Sequence, residues 1–406
     1  MTDGLEDLLP AAGALLDDAV ALRRRIHQHP ELGLDLPETQ AKVLEALDGL
    51  PLAITTGTTT SSVVAVLDGD EPGPTVLLRG DMDALPMSED TGLDYASAVH
   101  GAMHACGHDA HVAMLAGAAS LLASRRVDLR GRIAFMFQPG EEGHHGARFM
   151  LEEGLLDVAA DGAEPVSMAF AIHQTPVIAS GVITTRGRAL LASADELLVT
   201  VRGRGGHASM PHHALDPIPI ACEIVGALQS MVTRRVDAFD PAVVTIARIR
   251  AGTTSNVIPE SAEMFGTIRT VSERTRAAVV DDVRRLAEGI AAAHGAEAEV
   301  ILEPGYPVTV NDVDAAAFAL DTARLTLGEE AVHEMPTPVM GAEDWSYVLQ
   351  EVPGCMAFLG SRPPGTTGHV APNHSNRMVI DEQAMAAGIA IYSAVALRWL
   401  HEAGAG

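Results

Sequence analysis

The chain has 406 residues, 47% hydrophobic and 20% charged, which fits a folded protein of two or three domains at roughly 100–200 residues each and argues against disorder. Asp plus Glu number 54 against 27 Lys plus Arg, and only 3% of residues are aromatic. A surface of net charge −27 repels phosphate backbones and has few rings for base stacking, so nucleic acid is not an expected partner. Lys42 is the only lysine, and no glycine-rich loop precedes it. The P-loop, pyridoxal-phosphate and Schiff-base chemistries that need a central lysine are nearly closed.

Along the chain, residues 1–10 are acidic and lack the basic start of a signal peptide. A helix is predicted over 6–29, its closing Arg23, Arg24 and Arg25 suited to the helix dipole, and another over 39–47. Strands follow at 62–67, 75–79, 132–137 and 168–172, with helices at 110–124 and 146–153 between them. Their unbroken apolar character predicts strands buried on both faces, in an α/β sheet flanked by helices.

Near residue 192 the rhythm changes. Strand 196–201, helix 216–234, strands 242–249 and 262–270, helix 272–294 and strand 296–302 give the β-α-β-β-α-β order of a ferredoxin-like sandwich. The α/β pattern resumes with helix 313–326, strand 355–359 and a helix from 381. We therefore expect a domain at 191–305 inserted into a discontinuous one of 1–190 and 306–406. The longest apolar stretches, at 113–123 and 384–397, fall short of the ~18 residues of a membrane span. Cys106, Cys222 and Cys355 form no CxxC pair, so a reducing compartment, the cytoplasm, is expected. Cys222 and Cys355 lie in apolar runs and read as core residues.

Two clusters carry chemistry. HACGHDAH at 104–111 places three imidazoles, a thiol and a carboxylate just before an apolar helix, a donor set for zinc and its neighbours. QPGEEG at 138–143 sets two carboxylates at a strand end between glycines that permit a turn. One could bind metal while its neighbour accepts a proton from an activated water. Asp81, Asp83, His173 and His374 lie at or near other strand ends, where sites form in open α/β sheets. Each alone would be an ordinary loop residue. Together they supply the ligands of a two-metal site.

With RRIHQHPELG at 24–33, GDMDALPM at 80–87, GGHASMPHHALDP at 205–217, GTTSNVIP at 252–259, GTIRT at 266–270, GAEDWSY at 341–347 and NHS at 373–375, these segments span nearly the whole chain. In that order they resemble the M20 metallopeptidases, specifically the amidohydrolase branch of aminoacylase, hippurate hydrolase and indole-acetyl-amino-acid hydrolase type. The resemblance implies a mixed-sheet, zinc-peptidase-like catalytic domain with an inserted ferredoxin-like lid that also dimerises. It implies two divalent ions, zinc or manganese with cobalt or nickel as alternatives, held by Cys106, His108, Glu142, His173 and His374. It makes Glu141 the general base and Asp83 the residue that orients the metal centre. His207 would polarise the scissile carbonyl, and Asn256 and Arg269 would bind substrate. The implied reaction is hydrolysis of a small N-acyl amino acid by a homodimer, with no membrane partner. A dipeptidase or ureidohydrolase on the same scaffold, or a binding protein without catalysis, are the alternatives. The chain departs from the family pattern at Gly80, Gly140 and Asn376, and no departure removes a ligand.

Overall fold

The apolar run at 75–79 lies inside a longer strand, Glu71–Asp81, whose last eight residues are all buried, as a parallel strand covered on both faces requires. The structure, a computed structural model, describes residues 5–159 and 164–403; the first four residues of the acidic 1–10 segment lie outside them. Two compact units emerge. The first comprises Met1–Arg188, Val310–Thr337 and Tyr347–Gly406, and the second Ala189–Thr309 with Pro338–Ser346. Pro338–Ser346 joins the second unit, although the sequence groups it with the first, because it hydrogen-bonds there. Ala192 donates its N–H to the carbonyls of Val339 and Gly341 at 3.2 and 2.8 Å.

The first unit is built on an eight-stranded mixed sheet. Its strands run in the order Ala53–Thr56, Val63–Asp68, Arg130–Gln138, Glu71–Asp81, Val166–Ala179, Gly354–Arg362, Ile183–Thr185 and Val332–Glu334. The four central strands, from Arg130–Gln138 to Gly354–Arg362, are mutually parallel, so their carboxyl ends share one edge. The short strands Ala53–Thr56, Ile183–Thr185 and Val332–Glu334 escape prediction, being too brief for a periodicity. Two apolar helices, His108–Ser124 and Ala384–Ala403, are packed into this core. The second is long and apolar enough to cross a membrane, yet 72% of that stretch is buried inside the protein. Its Tyr392 is fully buried, accepting from Ile172 N–H at 3.0 Å and donating to the Arg79 carbonyl at 2.6 Å.

The single predicted helix over 6–29 is two, Leu8–Ala14 and Leu16–His27. Arg23 does not serve the dipole from the surface. It is buried, its Nε donating to Asp109 at 2.8 Å and its Nη1 to Glu382 at 2.8 Å and Tyr95 at 3.0 Å. His27 shares the same Asp109 oxygen through Nδ1 at 2.8 Å and faces Glu89 at 3.2 Å through Nε2. This network ties the second helix to the first turn of His108–Ser124 and to the segment that opens the last helix.

In the second unit the sheet is antiparallel, ordered Ala242–Ala251, Ser261–Thr270, Asp195–Arg202 and Glu297–Pro304. Two helices cover it. Glu273–Ala293 buries Thr275, Val279, Val283, Ala287 and Ala291, a strict four-residue repeat that lays one face on the sheet. The Ser272 hydroxyl caps that helix by accepting from Thr275 N–H at 3.1 Å. The helix Pro217–Arg235 begins in the same way, with Asp216 accepting from Ile218 N–H at 3.0 Å. Cys222 lies on its exposed side, which corrects the core placement read from the sequence. Cys355 is buried as expected.

The ionic network sets a pH dependence. Burial alone would push the His27 imidazole down, but the Asp109 charge and its hydrogen bonds to Asp109 and Glu89 raise it from 6.5 to about 9. A raised folded-state value means the stabilisation is complete below pH 6.5 and is lost as pH climbs through 9. We expect the stability gap between the parent and His27→Gln, from urea unfolding, to shrink by up to about 3 kcal/mol between pH 6 and 9.5. A gap that does not vary with pH would contradict a charged His27.

Candidate metal centre

Asp83 follows the central strand by two residues, and its carboxylate faces the turn that carries the two glutamates. One oxygen accepts from Glu141 N–H and the other from Glu142 N–H, both at 2.9 Å. The turn itself needs glycine: Gly140 has φ +71°, and a Cβ there would sit 2.5 Å from the Leu34 Cδ2. In this way two adjacent residues, which in a strand would face opposite sides, are held over one pocket.

Two imidazoles are fixed by main-chain carbonyls. His108 Nδ1 lies 2.8 Å from the Asp83 carbonyl, and His173 Nδ1 lies 2.7 Å from that of Gln174. A carbonyl only accepts, so each Nδ1 carries a proton and Nε2 is the nitrogen left to face the pocket. His173 Nε2 lies 3.4 Å from the Cys106 Sγ, and His108 Nε2 lies 4.0 Å from Glu142 Oε1. His374 Nε2 is 3.3 Å from the same Glu142 oxygen. His374 holds a left-handed backbone, φ +68°, that a non-glycine residue rarely adopts, and its N–H donates to the Ala105 carbonyl at 2.8 Å.

The donor atoms of Cys106, His108 and His173 all lie within 4.8 Å of one another, and so do those of Cys106, Glu142 and His374. Cys106 is common to both groups. His108 Nε2 is buried, makes no hydrogen bond among the described residues, and lies 3.4 Å from an Asp81 oxygen. A thiolate shared between an N,N pair and an N,O pair fits two divalent ions. The imidazoles differ in charge: despite its burial, His108 is raised well above its ordinary value by the Asp81 charge. Burial holds His173 neutral, well below its ordinary range. Burial also pushes the Glu142 carboxyl up, but His374 and His108 outweigh it and keep it low. Hydrogen bonds to the Cys106 sulfur and to Glu142 push His374 up to about 10. Glu141 is buried next to this set, with an oxygen within 4.8 Å of donors on His108 and Glu142.

The 104–111 cluster is thus divided. His108 and Cys106 face the pocket, while His111 is fully used: it accepts from Gln174 N–H at 2.8 Å and donates to Asp81 at 2.5 Å. Asp109 belongs to the Arg23 network. His104 is buried near His27, with ring centres 6.2 Å apart, and burial pushes it down to about 3. Two amide side chains to which the sequence reading gave no role join the ligand loops, Gln174 and, from the NHS segment, Asn373. The signal for Gln174 is an amide directly after His173, where the apolar run of the strand ends.

In the second unit, His207 and Asn256 are brought together. Gly206–His207 pairs with Val257–Ile258, and Ala208 N–H donates to the Asn256 carbonyl at 3.1 Å. His207 Nδ1 accepts from Ser209 N–H at 3.1 Å, so neutral His207 carries its proton on Nε2. Arg269 stands on a different element, the Ser261–Thr270 strand, half-buried, and burial lowers its pKa from the usual arginine value.

Residues 77–398 match the profile of Peptidase family M20/M25/M40. The chain is 38% identical to thermostable carboxypeptidase 1 of Saccharolobus solfataricus, over 98% of this chain and 99% of that one. It is 39% identical to an N-acetylcysteine deacetylase of Bacillus subtilis, over 90% and 92% respectively. A Bacillus subtilis crystal structure described as a dinuclear metal-binding peptidase of the M20 family superposes with TM-score 0.81 at 36% identity, covering 96% of this chain and 99% of that one.

If Cys106 is a ligand, bound metal should shield it. In a Cys222→Ala background, which removes the exposed thiol, alkylation of Cys106 is expected after chelation and is expected to stop when zinc is restored. Equal labelling in both states would make Cys106 a bystander.

Proposed function

The chain belongs to peptidase family M20/M25/M40, and on that premise we propose that it is a metal-dependent amidohydrolase cleaving N-acyl amino acids to a carboxylic acid and a free amino acid. The observation that carries this reading is the five-donor shell with a sixth carboxylate, Glu141, buried beside it. Cys106, His108, Glu142, His173 and His374 would hold two divalent ions; the thiolate favours zinc, with manganese as the second choice. When bound, such ions supply Lewis acidity to the scissile carbonyl and to the attacking water. Glu141 takes the proton of that water and returns it to the departing nitrogen, with Asp83 fixing the backbone that carries it. His207, with its proton on Nε2, is our donor to the developing oxyanion. Asn256 and Arg269 bind the substrate, and the guanidinium suits its carboxylate.

We take the protein as a homodimer through the second unit, and place it in the cytoplasm, where its three free thiols would persist. A second reading, release of a C-terminal amino acid from peptides, is favoured by the likeness to the S. solfataricus carboxypeptidase. Both readings free an amino acid from an acylated nitrogen. Hydrolysis of acetyl, benzoyl, indole-acetyl and long-chain acyl amino acids, run beside short peptides, separates them. Turnover of the acyl amino acids alone supports the first, and turnover of peptides alone overturns it in favour of the second.

Glu141→Gln keeps the side chain's size but cannot accept a proton. Turnover should fall by ~10²–10⁴-fold or more while metal content, measured by plasma emission, stays at the parent level. Substantial activity in the metal-loaded variant would remove Glu141 from the role of base.

A further inference from the structure

We propose that Gln174 is a positioning residue for the metal centre: with Asn373 it clamps the Cys106 carbonyl and so sets where the shared thiolate stands. The inference rests on the reading of Cys106, His173 and His374 as ligands. Gln174 is buried, 1% exposed, and every polar group it has is engaged. Its Nε2 donates to the Cys106 carbonyl at 2.7 Å, its Oε1 accepts from the Ser361 hydroxyl at 2.6 Å, and its N–H donates to His111 at 2.8 Å. Its own carbonyl accepts the Nδ1 proton of His173 at 2.7 Å. Asn373 Nδ2 reaches the Cys106 carbonyl at 3.0 Å and the Gln174 carbonyl at 3.3 Å.

Three ligand-bearing segments therefore meet on two amide side chains: the Cys106 loop, the strand with His173, and the loop with His374. The fit is close. Gly107, at φ +85°, passes directly against this side chain, and a Cβ on it would lie 2.1 Å from the Gln174 Nε2. Glycine at that place lets the amide reach the carbonyl behind it. His108 and the glutamates hang instead on Asp83. The ligand shell thus has two separate anchors, Asp83 and Gln174, with Cys106 on the Gln174 side.

The test uses the full chain stripped of metal and reloaded with cobalt. Gln174→Met keeps length and removes the amide; Asn373→Ala removes the second donor to the same carbonyl. Affinity is read by competition with a chromophoric chelator, and thiolate geometry by the near-ultraviolet sulfur-to-cobalt charge-transfer band. We expect each variant to lose about 10–100-fold in cobalt affinity with a shifted or weakened band, the usual cost of removing a group that orients a ligand. Ser361→Ala, which leaves the donor to Cys106 in place, should retain the parent band. A folded Gln174→Met with parent affinity and band overturns the proposal. Should Gln174→Met fail to fold, Asn373→Ala decides, and an unaltered band there overturns it. Cys106→Ala separates the two levels: if it binds cobalt as the parent does, the ligand reading itself fails, whereas loss of binding in Cys106→Ala alone refutes only the role of Gln174.

Discussion

His108 and His173 each spend the Nδ1 proton on a main-chain carbonyl, and the site depends on that expenditure. It leaves Nε2 as the nitrogen that faces the pocket in both rings: burial holds His173 neutral, whereas His108, raised against its burial by the Asp81 charge, would give up an Nε2 proton to a bound cation. The carbonyls belong to Asp83, just beyond the end of Glu71–Asp81, and to Gln174, inside the neighbouring parallel strand Val166–Ala179. Their positions follow from register: Asp81 pairs with Gln138, and Gln174 with Leu359. A slip of one residue would turn each strand over and carry these groups to the wrong face. Buried Arg79 and Asp81 on Glu71–Asp81 resist that slip, because it would carry them away from their partners Gln138 and His111.

The site also concentrates negative charge. Cys106, Glu141, Glu142, Asp81 and Asp83 lie buried or nearly so, and desolvation opposes every charged carboxylate among them. Asp81 is offset by Arg79 at 2.8 Å, and Asp83 by two main-chain donors. The thiol and Glu142 have only imidazoles beside them. A bound cation would take over that role from His374 and His108, whose charges otherwise keep Glu142 low.

Much of this is legible in the sequence. The central strands, the β-α-β-β-α-β rhythm and the two donor clusters can be read from apolar runs and from ligand types at close spacing. The division of HACGHDAH cannot, because which imidazole turns inward depends on partners far along the chain: Asp81 and Gln174 for His111, Asp83 for His108. Arg23 reads as a dipole residue because Asp109, 86 positions away, is invisible from its local sequence. Cys222 misleads for a different reason. An apolar neighbourhood on a helix says which residues are present, not which face each occupies, and Cys222 falls on the outer one. Gln174 looks like a strand residue until its side chain is seen against the Cys106 carbonyl.

The central claim is that one thiolate and four N and O donors hold two ions per chain. X-ray absorption on zinc-loaded protein, with zinc and protein quantified in the same sample, tests it most directly. The account predicts two zinc ions per chain and a zinc–sulfur shell near ~2.3 Å that vanishes in Cys106→Ala. One ion per chain, or a shell of nitrogen and oxygen alone in the parent protein, would contradict it.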